Sequence, residues 1–237
     1  MLDMGTNEGR IISAALRLAG ERPWNEISLR EIAEAAGVNL AGLSESFSSK
    51  SEILGAFAKH VDKEVLAIAP APQPGESQRD ALFEVIMARF DALAPYKSAI
   101  DSIVKSGEAE LPMLRPLLVS QAWMLQAAGI DSGGPAGALR TAGLASVYAA
   151  VLRTWLEDDD PGLARTMAAL DRKLRRGESV MSALDGALGA ARRVKDMLRS
   201  GRRPSGADKA ASAGDEFGGD ATVAEPASGG STSAVQP

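Results

Sequence analysis

Six residues with small or short polar side chains, Asn39, Leu40, Ala41, Gly42, Ser44 and Glu45, follow a Gly37-Val38 pair and are bracketed by Ser28 and Lys50. Two short helices over 28–36 and 39–47, joined by that pair and braced by a preceding apolar helix, have the dimensions of a helix-turn-helix. In such a unit the second helix offers its first positions to base edges, while N–H groups and cations hold phosphates. On this layout the six residues face the major groove of a duplex, and Ser28 and Lys50, at the starts of the flanking helices, contact phosphates. Other chemistry has little to work with. The chain has no Cys, which removes disulfides, thiolate nucleophiles, zinc fingers and iron–sulfur ligation. His60 is the only histidine and is accompanied by neither a GxSxG turn nor an HExxH pair. Asp158-Asp159-Asp160 reads as an acidic turn, with Asp160 capping the helix that Pro161 opens, in preference to a cation site. With no paired carboxylates and no phosphate-binding Gly loop, the expectation is a protein that is not an enzyme and uses no cofactor or metal.

The elements that position these residues are helices. Start and stop signals divide residues 7–200 into roughly ten of them, with no alternating strand pattern, so the expected fold class is all-α. Helix one spans about Asn7 to Gly20, with Ile11, Ile12, Ala15, Leu16 and Ala19 on one face. Ser28 and Glu31 form a capping box, as do Ser49 and Glu52, and the helix after Ser49 runs to about Ala69. Pro70-Ala71-Pro72-Gln73-Pro74-Gly75 cannot be helical and reads as a boundary. The expected organisation is a helix-turn-helix domain over 1–57 with a linking helix to 69, a larger helical domain over 76–200, and a tail over 201–237. That tail is Gly, Ser, Ala and Pro with acidic residues, too poor in apolar side chains to offset the entropy of ordering, and it is expected to be disordered.

No stretch reaches the roughly 18–20 apolar residues of a membrane span, and MLDMGTNEGR lacks the basic and apolar regions of a signal peptide, so a cytoplasmic protein is expected. The net charge is −5. It is uneven: residues 1–60 carry 6 basic and 8 acidic side chains, whereas 161–203 carry 11 and 4. The second helix of the helix-turn-helix contains no Lys or Arg, and Glu45 would face phosphates. Attraction to nucleic acid comes largely from counterion release by cations, so each head should bind DNA weakly and a dimer would double the contacts.

In the second half, Phe83, Met87, Phe90, Trp123 and Tyr148 recur at helical spacing and either line a ligand cavity or pack as core. Leu144, Val151, Trp155, Leu163, Met167, Leu170 and Leu174 form a further stripe that is either internal core or a four-helix dimer interface.

The run IISAALRLAGERPWNEISLREIAEAAGVNLAGLSESFSSKSEILGAF, over about residues 10–57, resembles the N-terminal domain of TetR-family transcriptional regulators. The shared features are the Ala-rich first helix, Trp24 before Ser28, Ile32-Ala33, Ala36-Gly37-Val38, Leu43, and Phe47 followed by Ser49-Lys50. The resemblance implies a homodimer on an operator in double-stranded DNA. Its C-terminal helical domain would bind a small hydrophobic effector and, through helix four, change the spacing of the two heads. A ligand-responsive regulator, and of the two directions a repressor, is the function expected. Residues 79–178, including Arg89-Phe90-Asp91, Trp123 before Ala127-Ala128-Gly129, and Gly143 to Tyr148, are also similar to TetR-like lipid-binding accessory proteins of ubiquinone biosynthesis. That second resemblance implies a lipid ligand and peripheral membrane contact through an amphipathic helix over 179–199.

Overall fold

The computed structural model describes residues 2–69, 75–107 and 111–179, together with Arg193 and Met197. The packing set out below falls within the compact unit Met1–Arg192. Among the described residues there are nine α-helices and no strand. They are α1 (Asn7–Glu21), α2 (Leu29–Ala35), α3 (Leu40–Ser46), α4 (Lys50–Ile68), α5 (Gln78–Leu93), α6 (Lys97–Ser106), α7 (Leu111–Ala127), α8 (Gly134–Leu156) and α9 (164–179). Short 3-10 turns, Trp24–Glu26 and Ala94–Tyr96, precede α2 and α6. The amphipathic helix expected over 179–199 and the tail from 201 lie outside the described residues, apart from Ser179, Arg193 and Met197. So does most of the Pro-rich boundary, 70–74.

Local chemistry sets where these helices begin. Thr6 caps α1 by accepting from the Gly9 N–H at 3.0 Å. At α2 the capping box is complete: the Ser28 hydroxyl accepts from the Glu31 N–H, and the Glu31 carboxylate accepts from the Ser28 N–H at 2.8 Å. The second box is displaced by a residue. Ser49 accepts from the Glu52 N–H, but the Glu52 carboxylate turns back to the Ser48 N–H at 2.6 Å. Between α2 and α3, Gly37 takes φ +66°, and the Val38 N–H reaches back to the Ala33 carbonyl, the left-handed ending that glycine adopts without a Cβ penalty.

One continuous core runs from Ile11 to Leu174. α1 buries Ile11, Ile12, Ala15, Leu16 and Ala19 and packs against α2, α3, α4 and α6. The approach to α6 is close enough that a Cβ on Gly20 would stand 3.0 Å from the Ser98 hydroxyl. α4 packs along α7, where Gly55 faces the ring of Pro116. That proline sits inside α7. α8 lies against α7.

The start of α9 differs from the sequence expectation. Pro161 and Gly162 form a turn and the helix begins at 164. Asp160 still caps it, accepting from the Ala164 N–H at 3.1 Å and the Gly162 N–H at 3.2 Å, and Leu163 is carried to φ +51°. Asp158 is buried and accepts from both the N–H and the hydroxyl of Thr166, which hold its carboxyl below the usual range, the hydroxyl contributing most. These two carboxylates serve the turn.

Candidate nucleic-acid interface

α3 is anchored by two side chains. Leu43 and Phe47 are buried in the core shared with α1 and α2, and the rest of the helix follows from that orientation. At 100° per residue, Glu45 stands opposite the buried pair with Ala41 about 40° off that line, Ser44 and Ser46 lie on the two flanks, and Leu40, a turn before Leu43, lies toward the buried side. Ala41, Ser44, Glu45 and Ser46 are exposed, and Leu40, at the first position of the helix, is 43% exposed.

Several of these polar groups are partly committed. The Asn39 carbonyl oxygen caps α3, accepting from the Gly42 N–H at 2.7 Å, which leaves its amide N–H groups outward. The Ser44 hydroxyl donates to the Ala41 carbonyl at 2.7 Å, so what it offers outward is an acceptor.

Ser28 and Lys50 come together in one open cleft of about 490 Å³, lined also by Trp24, Ile27, Ser48 and Ser49. Lys50 extends over the Trp24 ring, 4.8 Å from its centroid, and donates to the Trp24 carbonyl at 3.0 Å. The same tryptophan is 1% exposed, and its backbone N–H donates to the Ser102 hydroxyl of α6 at 3.0 Å. Glu31 is held by the Arg22 guanidinium at 2.6 Å and by Ser28, which bring its carboxyl down to about 2, the Arg22 hydrogen bond contributing most. Sequence spacing placed Ser28 and Lys50 on a common surface; the Trp24 contacts carried no pattern that could reveal them.

The expected ligand-lining set is not brought together. Phe90 and Tyr148 stack at 5.4 Å and 2° between planes, and Phe90 also stacks on Trp155 at 5.4 Å, so the rings fill the space with one another. Phe83 and Met87 are only half-buried, and Trp123, on the outward side of α7, is 47% exposed. Phe83 instead borders an open groove of about 440 Å³ between α5 and α9, with Met167 and Leu174. What the sequence reading passed over is a buried polar group beside the stacked rings. Arg89 is ion-paired with Asp62 and donates through Nε to the Tyr148 hydroxyl at 3.1 Å, and Ser120 donates to Asp62 at 2.7 Å. Burial opposes the Arg89 charge, yet the Tyr148 and Asp62 oxygens hold its pKa above the ordinary value. Gln121, next to Ser120 in α7, is buried with neither amide atom hydrogen-bonded.

The stripe read as internal core or dimer interface lies mostly inside this chain. Leu144, Val151, Trp155, Leu170 and Leu174 are buried in the chain's own core, Leu163 is half-buried, and only Met167 is exposed. The outward face of α8 carries Leu139, Ala142, Gly143, Ser146 and Ala149. His60 is half-buried, 3.4 Å from Glu64, with its pKa lowered by burial. Among the described residues no group of His, Asp and Glu could hold a metal ion, and no helix is long and apolar enough to cross a membrane.

A buried-anchor helix presented beside a cationic cleft is the layout that comparison with known proteins decides. Residues 11–57 match the bacterial regulatory proteins of the tetR family. Among the described residues the fold is the all-α, TetR-like one. Its similarity extends to a TetR transcriptional regulator from Rhodococcus sp. RHA1, at 19% identity and a TM-score of 0.57 over 72% of this chain and 94% of that one. A TetR regulator from Nitrosomonas europaea ATCC 19718 aligns at 21% identity and a TM-score of 0.55, over 72% and 97% of the two chains. A tetR-family regulator from Streptomyces coelicolor aligns at 20% and 0.52, over 80% and 88%. At these identities the likeness is one of fold. No curated protein sequence matches the chain.

Proposed function

We infer that the protein is a DNA-binding transcriptional regulator, acting as a repressor, whose TetR-type head over residues 1–57 docks α3 in the major groove. The observation that carries this reading is the orientation of α3. Leu43 and Phe47 face inward, Asn39, Ala41, Ser44 and Glu45 face outward, and Ser28 and Lys50 share a cleft beside them, all inside the matched segment 11–57. Two heads must act together, because one recognition helix without a cation supplies little affinity. The dimer face we assign is the outward side of α8, where Leu139, Ala142, Gly143, Ser146 and Ala149 let a partner helix approach closely. In a dimer the two recognition helices would reach successive major grooves about 34 Å apart.

Control by a small hydrophobic effector belongs to the helical domain over residues 76–200. The buried amide of Gln121 in α7, whose lack of a partner costs about 1–3 kcal/mol, supports an effector that carries a polar group to meet it. Its binding would favour a head spacing that does not fit the operator. The lipid-binding resemblance has no comparable observation in its favour, and most of its membrane helix lies outside the described residues.

The test is fluorescence anisotropy with labelled fragments of the region upstream of the protein's own gene, with sedimentation to read the stoichiometry. Saturable, sequence-dependent binding of one dimer per site is expected, and a reporter driven from that region should be silenced. Absence of binding to every fragment in dilute buffer would refute the regulatory reading.

A further inference from the structure

We propose that α3 reads cytosine and thymine edges in the major groove, with Glu45 accepting from the cytosine amino group and Ala41 packing on a thymine methyl. The inference deepens the regulatory reading and rests on it.

The argument is one of chemical elimination across an exposed face. Each base presents a different major-groove edge: guanine two acceptors, adenine an acceptor beside a donor, thymine an acceptor and a methyl, cytosine a donor alone. Guanine is read by Arg or Lys, and α3 contains neither. Glu45 stands on the line opposite the buried Leu43 and Phe47, and is thus the residue that reaches deepest into a groove. A carboxylate only accepts, so the N7 of adenine or guanine and the O4 of thymine would repel it, whereas cytosine N4 offers a hydrogen with no acceptor on the same base.

The neighbours of Glu45 add no cation and one constraint. Ala41 lies a turn before it, about 40° round the helix, whereas Leu40, 43% exposed, lies toward the buried side. Apolar carbon at Ala41 gains by covering a C5-methyl and has nothing to offer an amino or keto group. Ser44 has given its hydrogen to the Ala41 carbonyl and so reinforces the acceptor character of the face. Only the outward amide N–H groups of Asn39 can donate, at the edge of the surface where the capping bond holds them.

The experiment selects duplexes from a randomised double-stranded library with the full-length protein and with Glu45→Gln, both tested at low salt. The wild-type motif should hold cytosine and thymine columns in each half-site. In Glu45→Gln the cytosine column should move to adenine by about tenfold, because a carboxamide matches the N6/N7 pair. On the selected duplex, replacing each contacted thymine by deoxyuridine should weaken binding about fourfold, as expected for one buried methyl. Replacing guanines by 7-deazaguanine should leave affinity within about twofold, since no cation reads N7. Guanine columns that 7-deazaguanine abolishes, or a cytosine column unmoved in Glu45→Gln, would overturn the proposal while leaving DNA binding intact. If no duplex is retained at all, the regulatory reading fails and this assignment with it.

Discussion

Affinity for DNA should fall gently with salt, and one substitution should halve the dependence. Of the six basic residues in positions 1–60, Arg10 bonds Asn7, Arg17 pairs with Glu21 and Arg22 with Glu31. Lys59 lies nine residues into α4, about 13 Å along the helix axis from its start. The two cations we assign to phosphate are Arg30, exposed in the first turn of α2, and Lys50, which lines the cleft while donating to the Trp24 carbonyl. A dimer therefore neutralises about four phosphates, and at about −0.9 per phosphate log K should change with log salt at a slope of about −3.6. Between about 50 and 200 mM salt the loss is about 150-fold, well short of the ~10³ to 10⁵ of proteins making six to ten phosphate contacts. Lys50→Ala removes half of the cations and should bring the slope to about −1.8, weakening all sequences alike. Lys50→Gln keeps a donor for the Trp24 carbonyl without the charge and should give the same slope, separating charge from packing. Anisotropy titrations at several salt concentrations, on one duplex and with dimer confirmed at each, read these slopes directly. A wild-type slope steeper than about −6, or one unchanged in both variants, would refute the placement of Lys50 on phosphate.

The other predictions concern stability and specificity. Asp62→Ala or Arg89→Met leaves its partner buried and uncompensated, so each should lower stability by about 3–5 kcal/mol, while the double variant Asp62→Leu with Arg89→Met recovers much of the loss; urea midpoints at constant slope decide it. Asn39→Ala should remove the α3 cap at a cost of about 1 kcal/mol and also alter base discrimination, whereas Asn39→Asp keeps the cap and loses only the outward amide; equal effects of the two would sink that division. Glu31 has its carboxyl depressed from 4.5 to about 2, so its contribution is present above about pH 4.5 and is lost as pH falls through about 2. In Glu31→Gln the decline of stability across that interval should flatten, and acid titrations superposable on wild type would show that the Arg22 and Ser28 bonds do not persist in solution.

The parts of this fold legible in the sequence are those fixed by neighbours a few residues apart. Ser28 with Glu31, the Gly37 turn and the spacing of Leu43 and Phe47 each state a local rule, and together they orient α3 before any tertiary contact is known. Periodicity along α8 was equally legible, for Leu144, Tyr148, Val151 and Trp155 do share a face. What it could not settle was whether that face meets the same chain or another. A stripe of large side chains satisfies either, and here the volume of Trp155 and Tyr148 is taken up by Phe90 of the same molecule, which turns the small residues Ala142, Gly143 and Ser146 outward. The polar contacts were out of reach for a different reason. Asp62, Arg89, Ser120 and Tyr148 come from four helices, and Ser102 meets Trp24 across 78 positions of chain. Asp62, Arg89, Ser102 and Ser120 taken alone read as ordinary surface side chains. Their pairing is forced only once α1 has closed against α6 and α4 against α7, when each buried donor must find an acceptor among whatever the packing has placed beside it.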